Sequence, residues 1–161
     1  MTNHQKVSEI KENSTSNVED NASQTVPSTI NQSNDPPKPK PPKPEDKPFK
    51  AFLEEDLIPG LESALKAKGQ SLQKILLVKG QRPVVRYECW SIQGILSSDR
   101  RFWISFSKES ITSVKTIALA EAGSEASLLE SFLIDERKVT LSLIISRVLQ
   151  RLNGQKWLGK N

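Results

Sequence analysis

Apolar residues recur at three- and four-residue intervals at the start and end of the second part of this chain, and alternate with polar ones in between. Phe49, Phe52, Leu53, Leu57, Leu61, Ala64 and Leu65 share one face of a helix from about Pro48 to Lys68. Pro59 predicts a kink or a split near Ile58, and Gly69 a stop. The acidic run Glu54-Glu55-Asp56 falls opposite the apolar face, as solvated surface.

Four strands follow in the pattern. Ser71 to Lys79 is rich in β-formers, and Gly80-Gln81-Arg82-Pro83 reads as a turn. Val84 to Leu96 alternates, with Val85, Tyr87 and Cys89 on one side and Arg86, Glu88 and Trp90 on the other; Gly94 marks a bulge. After a hairpin turn at Ser97-Ser98-Asp99-Arg100, Arg101 to Ser107 places Phe102, Ile104 and Phe106 on one face and Trp103 on the other. Val114 to Ala120 is a weaker fourth strand.

Gly123-Ser124-Glu125-Ala126 ends the sheet, and Ser127 with Glu130 forms a capping-box pattern ahead of Leu128, Leu129, Phe132 and Leu133. Asp135 then serves as N-cap for a long helix from Glu136 to Leu152, stopped by Asn153-Gly154. Leu141, Ile144, Ile145, Val148 and Leu152 form its apolar stripe, and Arg147 and Arg151 are neighbours on its flank. The expected fold is α+β: a small antiparallel sheet of about four strands, flanked by an N-terminal helix and a long C-terminal helix.

Composition cuts the chain in two. Residues 1–48 hold eight of the ten prolines and no aromatic, including the run Pro36-Pro37-Lys38-Pro39-Lys40-Pro41-Pro42-Lys43-Pro44. Such a segment cannot bury enough apolar surface to offset its chain entropy, so residues 1–47 are expected to be a disordered tail whose Pro/Lys part acts as a stiff spacer. Residues 48–161 form a single domain. Charge divides similarly: residues 1–49 carry six basic against seven acidic side chains, and residues 50–161 seventeen against twelve. A basic folded part favours an acidic partner: nucleic acid, an anionic membrane surface or an acidic protein.

Candidate chemistry is sparse. One cysteine, Cys89, excludes an internal disulfide framework and a multi-cysteine metal site; its strand position points to a buried, inert thiol. The single histidine, His4, lies in the tail, leaving the folded part without an imidazole for acid–base or metal work. No glycine-rich phosphate loop is present, and Glu130, Asp135 and Glu136 are explained by helix capping. No cofactor or metal is therefore expected, and a binding subunit rather than an enzyme. No apolar run is long enough to span a bilayer. The first residues, Met-Thr-Asn-His-Gln-Lys, match neither a secretory signal nor a transit peptide, which suggests a cytosolic protein of a bacterial-type cell.

The docking surface is sought at the basic end. After Glu136 the chain has six cations, Arg137, Lys138, Arg147, Arg151, Lys156 and Lys160, and no acidic residue. Trp157 lies past the helix stop; it is either an interface anchor flanked by cations or a cap on the domain's own core. Arg100 and Arg101 at a hairpin tip are solvated turn residues or contacts for an acidic partner. The candidate partner-binding set is Arg100, Arg101, Arg147, Arg151, Lys156 and Trp157. Trp90 and Trp103, flanked by Arg86 and Arg101, would in an alternative reading stack nucleobases on a sheet face.

Three stretches carry a family resemblance: Lys47-Pro48-Phe49 with the helix after it, Glu88-Cys89-Trp90, and the strings Leu129 to Lys138 and Gln150 to Gly159. They resemble a small cyanobacterial and chloroplast family, long catalogued as a domain of unknown function, that corresponds to subunit V of the photosynthetic NAD(P)H dehydrogenase-like complex. The resemblance covers roughly Pro48 to Asn161. It implies a cofactor-free subunit on the hydrophilic arm, peripheral to the cytoplasmic side of the thylakoid membrane and membrane-associated only through the complex. It further implies support for docking of reduced ferredoxin during cyclic electron flow to plastoquinone. The partners would be other subunits of the complex and ferredoxin, with no nucleic acid. Cations would then act chiefly on the encounter rate. The competing readings are a basic RNA- or ribosome-associated domain, against which stands the lack of an RNP-like or GXXG signature, and a transient assembly factor of a thylakoid complex.

Overall fold

The computed structural model describes residues 41–159, so most of the expected tail, with His4, and Lys160 lie outside the described residues. Helical structure begins with α1 (Phe49–Ala51), passes through a π-helix (Phe52–Leu57) and continues as α2 (Ile58–Ala67). Pro59 thus neither splits nor ends the helix. In α geometry its ring would press on the carbonyl four residues back. The wider register immediately ahead, where Ile58 N–H reaches the carbonyl of Leu53, relieves that crowding. Phe52, Leu53, Leu57, Leu61 and Leu65 remain on one face and are fully buried, and Gly69 at φ 74° closes the segment.

The sheet has five antiparallel strands in the order β1 (Leu72–Gln81), β2 (Glu88–Leu96), β3 (Arg101–Phe106), β4 (Lys115–Ala120) and β5 (Leu129–Phe132). Phe102, Ile104 and Phe106 all point to the helix-covered face, where Phe49 meets Phe106 edge-on at 5.3 Å between ring centroids. Ile92, Leu96 and Ile117 join them across the ladder. α3 (Leu141–Gly154) completes the covering layer through Ile144, Val148 and Leu152. The other face mixes small side chains with Gln93, Arg101 and Trp103; on it Ser91 and Ser105 share a 2.7 Å hydrogen bond next to Thr116.

Several expectations are corrected. The strand expected from Val84 begins only at Glu88, and β1 runs on to Gln81, so Arg82 to Tyr87 form the hairpin loop. Gly94 is not a bulge: it pairs in register with Phe102, and a Cβ there would lie 2.2 Å from that ring. The irregularity lies in β1, between Leu72 and Lys74. Ser127 to Leu133 contains a strand rather than a helix start, because Leu129 to Phe132 pair with Ala118 to Lys115 along the edge of β4. α3 begins at Leu141, not Glu136, and its N-cap is Thr140, whose hydroxyl accepts from Leu143 N–H at 3.3 Å. Among the described residues Asp135 caps no helix. A second cap comes from far away in sequence, where the Glu45 carboxylate accepts from Leu141 N–H at 2.7 Å. Ordered contacts therefore start ahead of the expected boundary at Pro48, with a 3-10 turn at Pro44–Asp46.

Candidate interaction surface

Antiparallel registry decides where the nominated cations sit. Arg101 opens β3 opposite Ala120, the last residue of β4, so the β2–β3 turn lies beside Glu121. α3 crosses the covered face and ends at this same end of the sheet. Arg100 Nε donates to Glu121 at 2.9 Å, and its guanidinium stacks over the Trp157 ring at 5.5 Å. Trp157 Nε1 donates to the other oxygen of Glu121 at 2.8 Å. With 2% of its surface exposed, Trp157 caps the core; it is not available as an interface anchor. The chain reaches this position by turning through Lys156 at φ 59°.

Arg151 is also claimed internally. Glu130 is in register with Ile117 on the covered face of the sheet, beneath α3. Arg151 Nε and Nη2 grip its two carboxylate oxygens, the former at 2.7 Å, and Nη1 donates to Gln155 at 3.1 Å. That grip holds the Glu130 carboxyl below its usual range and raises Arg151 further, with partial desolvation opposing both. Arg147 donates to Glu136 at 3.1 Å and to Gln150 at 2.8 Å. Arg101 donates to the Ser124 carbonyl, approaches Glu125 at 3.7 Å and lies over Trp103 at 5.6 Å.

All four arginines read from the sequence as docking charges are thus paired with carboxylates of their own fold. Their far field is that of short dipoles rather than free charges, which weakens them as long-range attractors. Of the nominated set, Lys156 alone is exposed with no ion pair among the described residues. The sequence could not reveal these partners, since Glu121 and Glu130 lie 36 and 21 residues from Trp157 and Arg151. The proposed base-stacking pair also dissolves. Trp90 is in register with Phe106 and faces the helices, where Lys50 and Lys79 each lie 5.7 Å from its ring, whereas Trp103 is on the opposite face.

Sequence reasoning missed two surfaces. One is an open groove of about 1040 Å³ between α2 and α3, lined by small and apolar residues including Gly60, Ala64, Ser146, Leu149 and Leu158. Gly60 lets the helices approach: a Cβ there would meet the Ile145 side chain at 2.6 Å. Lys68 lines the groove, Lys66 is next in the chain to Ala67 of its wall, and Lys156 lies two residues before Leu158; all three are exposed and without a carboxylate partner among the described residues. The other surface is the opposite end of the sheet, where exposed valines sit in segments whose alternation reads as strand. Cys89 is buried, with its sulfur 3.6 Å from the Ser91 hydroxyl. Among the described residues no cluster of His, Cys, Asp or Glu is arranged to hold a metal, and no helix is long and apolar enough to cross a membrane.

Fold and surface together define a small α+β protein: a helix-backed antiparallel sheet whose strongest side-chain pairs tie its C-terminal helix in place. A family model described as a protein of unknown function (DUF2996) matches residues 43–159, and the chain belongs to that family. The match begins where the ordered fold does. No curated protein matches the chain.

Proposed function

We propose that this chain is a non-catalytic, peripheral subunit of the photosynthetic NAD(P)H dehydrogenase-like complex, on the hydrophilic arm at the cytoplasmic side of the thylakoid membrane. There it supports docking of reduced ferredoxin for electron flow to plastoquinone. The resemblance of Leu129 to Lys138 and Gln150 to Gly159 to subunit V suggests the complex. The observation that supports docking is the partition of charge. The four nominated arginines are held by the fold, while Lys66 and Lys68 remain exposed and without a carboxylate partner among the described residues beside the groove between α2 and α3, as does Lys156 just past the end of α3. An acidic partner arriving at that groove meets free ammonium groups, which raise its encounter rate.

Two measurements test this reading. Affinity purification of a tagged copy from solubilised membranes is expected to bring down the hydrophilic-arm subunits; their absence refutes membership. The triple variant Lys66→Gln, Lys68→Gln, Lys156→Gln is expected to remain in the complex and to slow ferredoxin-dependent plastoquinone reduction, most strongly at low ionic strength. Rates equal to wild type across a salt titration refute the steering role.

A further inference from the structure

Three connections emerge at one end of the sheet, opposite the end occupied by Trp157: Arg82 to Tyr87 between β1 and β2, Ser107 to Val114 between β3 and β4, and Leu133 to Thr140 between β5 and α3. Registry fixes this, because Gln81 pairs with Glu88, Trp90 with Phe106, Phe106 with Lys115, and Lys115 with Phe132. The described residues leave seven large apolar side chains exposed, and five of them are on these connections: Val84, Val85, Tyr87, Val114 and Ile134, each 48–64% exposed. Five cations accompany them, Arg82, Arg86, Lys108, Arg137 and Lys138, none in an ion pair among the described residues. At the other end every arginine has its carboxylate. Of the acids here, Glu109 is taken by Lys79 and Trp90 and Glu136 by Arg147, leaving Glu88 and Asp135 against the five cations.

The β1–β2 tip is held in an unusual form. Val85 N–H donates to the Pro83 carbonyl at 2.8 Å across Val84, which adopts φ 68°. A γ-turn with positive φ is rare and strained, more so for a β-branched residue. Both valines of this tip are about half exposed. Beside them Tyr87 carries an apolar ring with a polar tip, and the Arg82 guanidinium lies 5.7 Å over that ring.

We propose that this end of the sheet is a surface that adsorbs to an anionic lipid bilayer, with the apolar tips entering the interface and the unpaired cations meeting the lipid headgroups. Its components match that environment: short apolar wedges, a tyrosine, and cations free of internal partners. A protein partner fits less well. The apolar tips stand on separate loops spread over strands spaced about 4.8 Å apart, roughly 20 Å in all, without the contiguous apolar centre of a stable protein interface. A fluid surface accepts separated convex tips without a matching cavity. Nucleic acid would use the cations and leave the valines and Ile134 in water. The proposal is independent of the reading as a complex subunit.

The test is co-sedimentation of the full chain with vesicles of roughly one part phosphatidylglycerol to two of phosphatidylcholine, against phosphatidylcholine alone. Binding to the anionic vesicles and little to the neutral ones is expected. Each cation near an anionic leaflet accounts for about a fivefold change in partitioning. The variant Arg86→Gln, Arg137→Gln, Lys138→Gln is therefore expected to lose binding by well over tenfold, and Val84→Ser with Val85→Ser to lose it severalfold. Lys66→Gln with Lys68→Gln, away from this end, is expected to bind as wild type. Urea unfolding confirms that each variant is folded. No binding by the folded wild type, or binding insensitive to the end variants, overturns the proposal. If the chain ignores vesicles while the same variants weaken its hold on a protein complex, this end is a protein interface instead.

Discussion

Replacing Glu130 by Gln, Arg151 by Gln, and both together isolates the pairing that distinguishes a structural arginine from a docking one. The two side chains retain 30% and 29% of their exposure, so the pair lies between a surface and a buried salt bridge. At an effective dielectric near 20, unit charges about 4 Å apart attract by about 4 kcal/mol. Desolvation and side-chain ordering offset much of that, and a bidentate, half-buried pair should retain a coupling of about 1–2 kcal/mol. A double-mutant cycle by urea denaturation measures it directly. The pH dependence supplies a second reading. Glu130 is held below its normal range in the folded state by Arg151, so its contribution is fully present above the unfolded carboxyl pKa and is lost as pH falls through the lower folded one. The Glu130→Gln variant should lack that component of the acid-side stability loss. A coupling below about 0.3 kcal/mol, within the scatter of independent sites, would show that Arg151 is free for an outside partner and would restore it as a docking charge.

Two further outcomes follow from the packing. Trp157→Ala is expected to destabilise the domain by about 3 kcal/mol or more in thermal or urea unfolding, since it empties a core site and removes the indole hydrogen bond to Glu121; unchanged stability with weakened partner association would reinstate the anchor. Gly94→Ala should cost about 2–3 kcal/mol, because the added methyl cannot avoid the Phe102 ring; a neutral result in the same assay would mean that the ring swings aside.

Local periodicity determined much of this protein from sequence alone. The apolar faces of the N-terminal helical segment and of α3, the alternation of β3 and the turn at Ser97 to Arg100 each arise from contacts within a few residues, so spacing reports them directly. Tertiary structure decided the remainder. The capping-box pattern at Ser127 and Glu130 lost to the free edge of β4, where Leu129 to Phe132 gain ladder hydrogen bonds that an isolated short helix could not match. The basic end looked free of acids because its carboxylates, Glu121, Glu130 and Glu136, precede the C-terminal helix and reach it only through the return of the chain. Trp157 was open to two readings, and only the closure of α3 onto the sheet put it inside. The valines at 84 and 85 alternate like strand residues yet stand exposed, because the ladder closes at Gln81 and Glu88 and leaves them beyond its last hydrogen-bonded pair. Sequence thus specifies which residues seek burial or solvent, while long-range pairing specifies which charges and apolar groups remain unsatisfied, and those are the groups a partner meets.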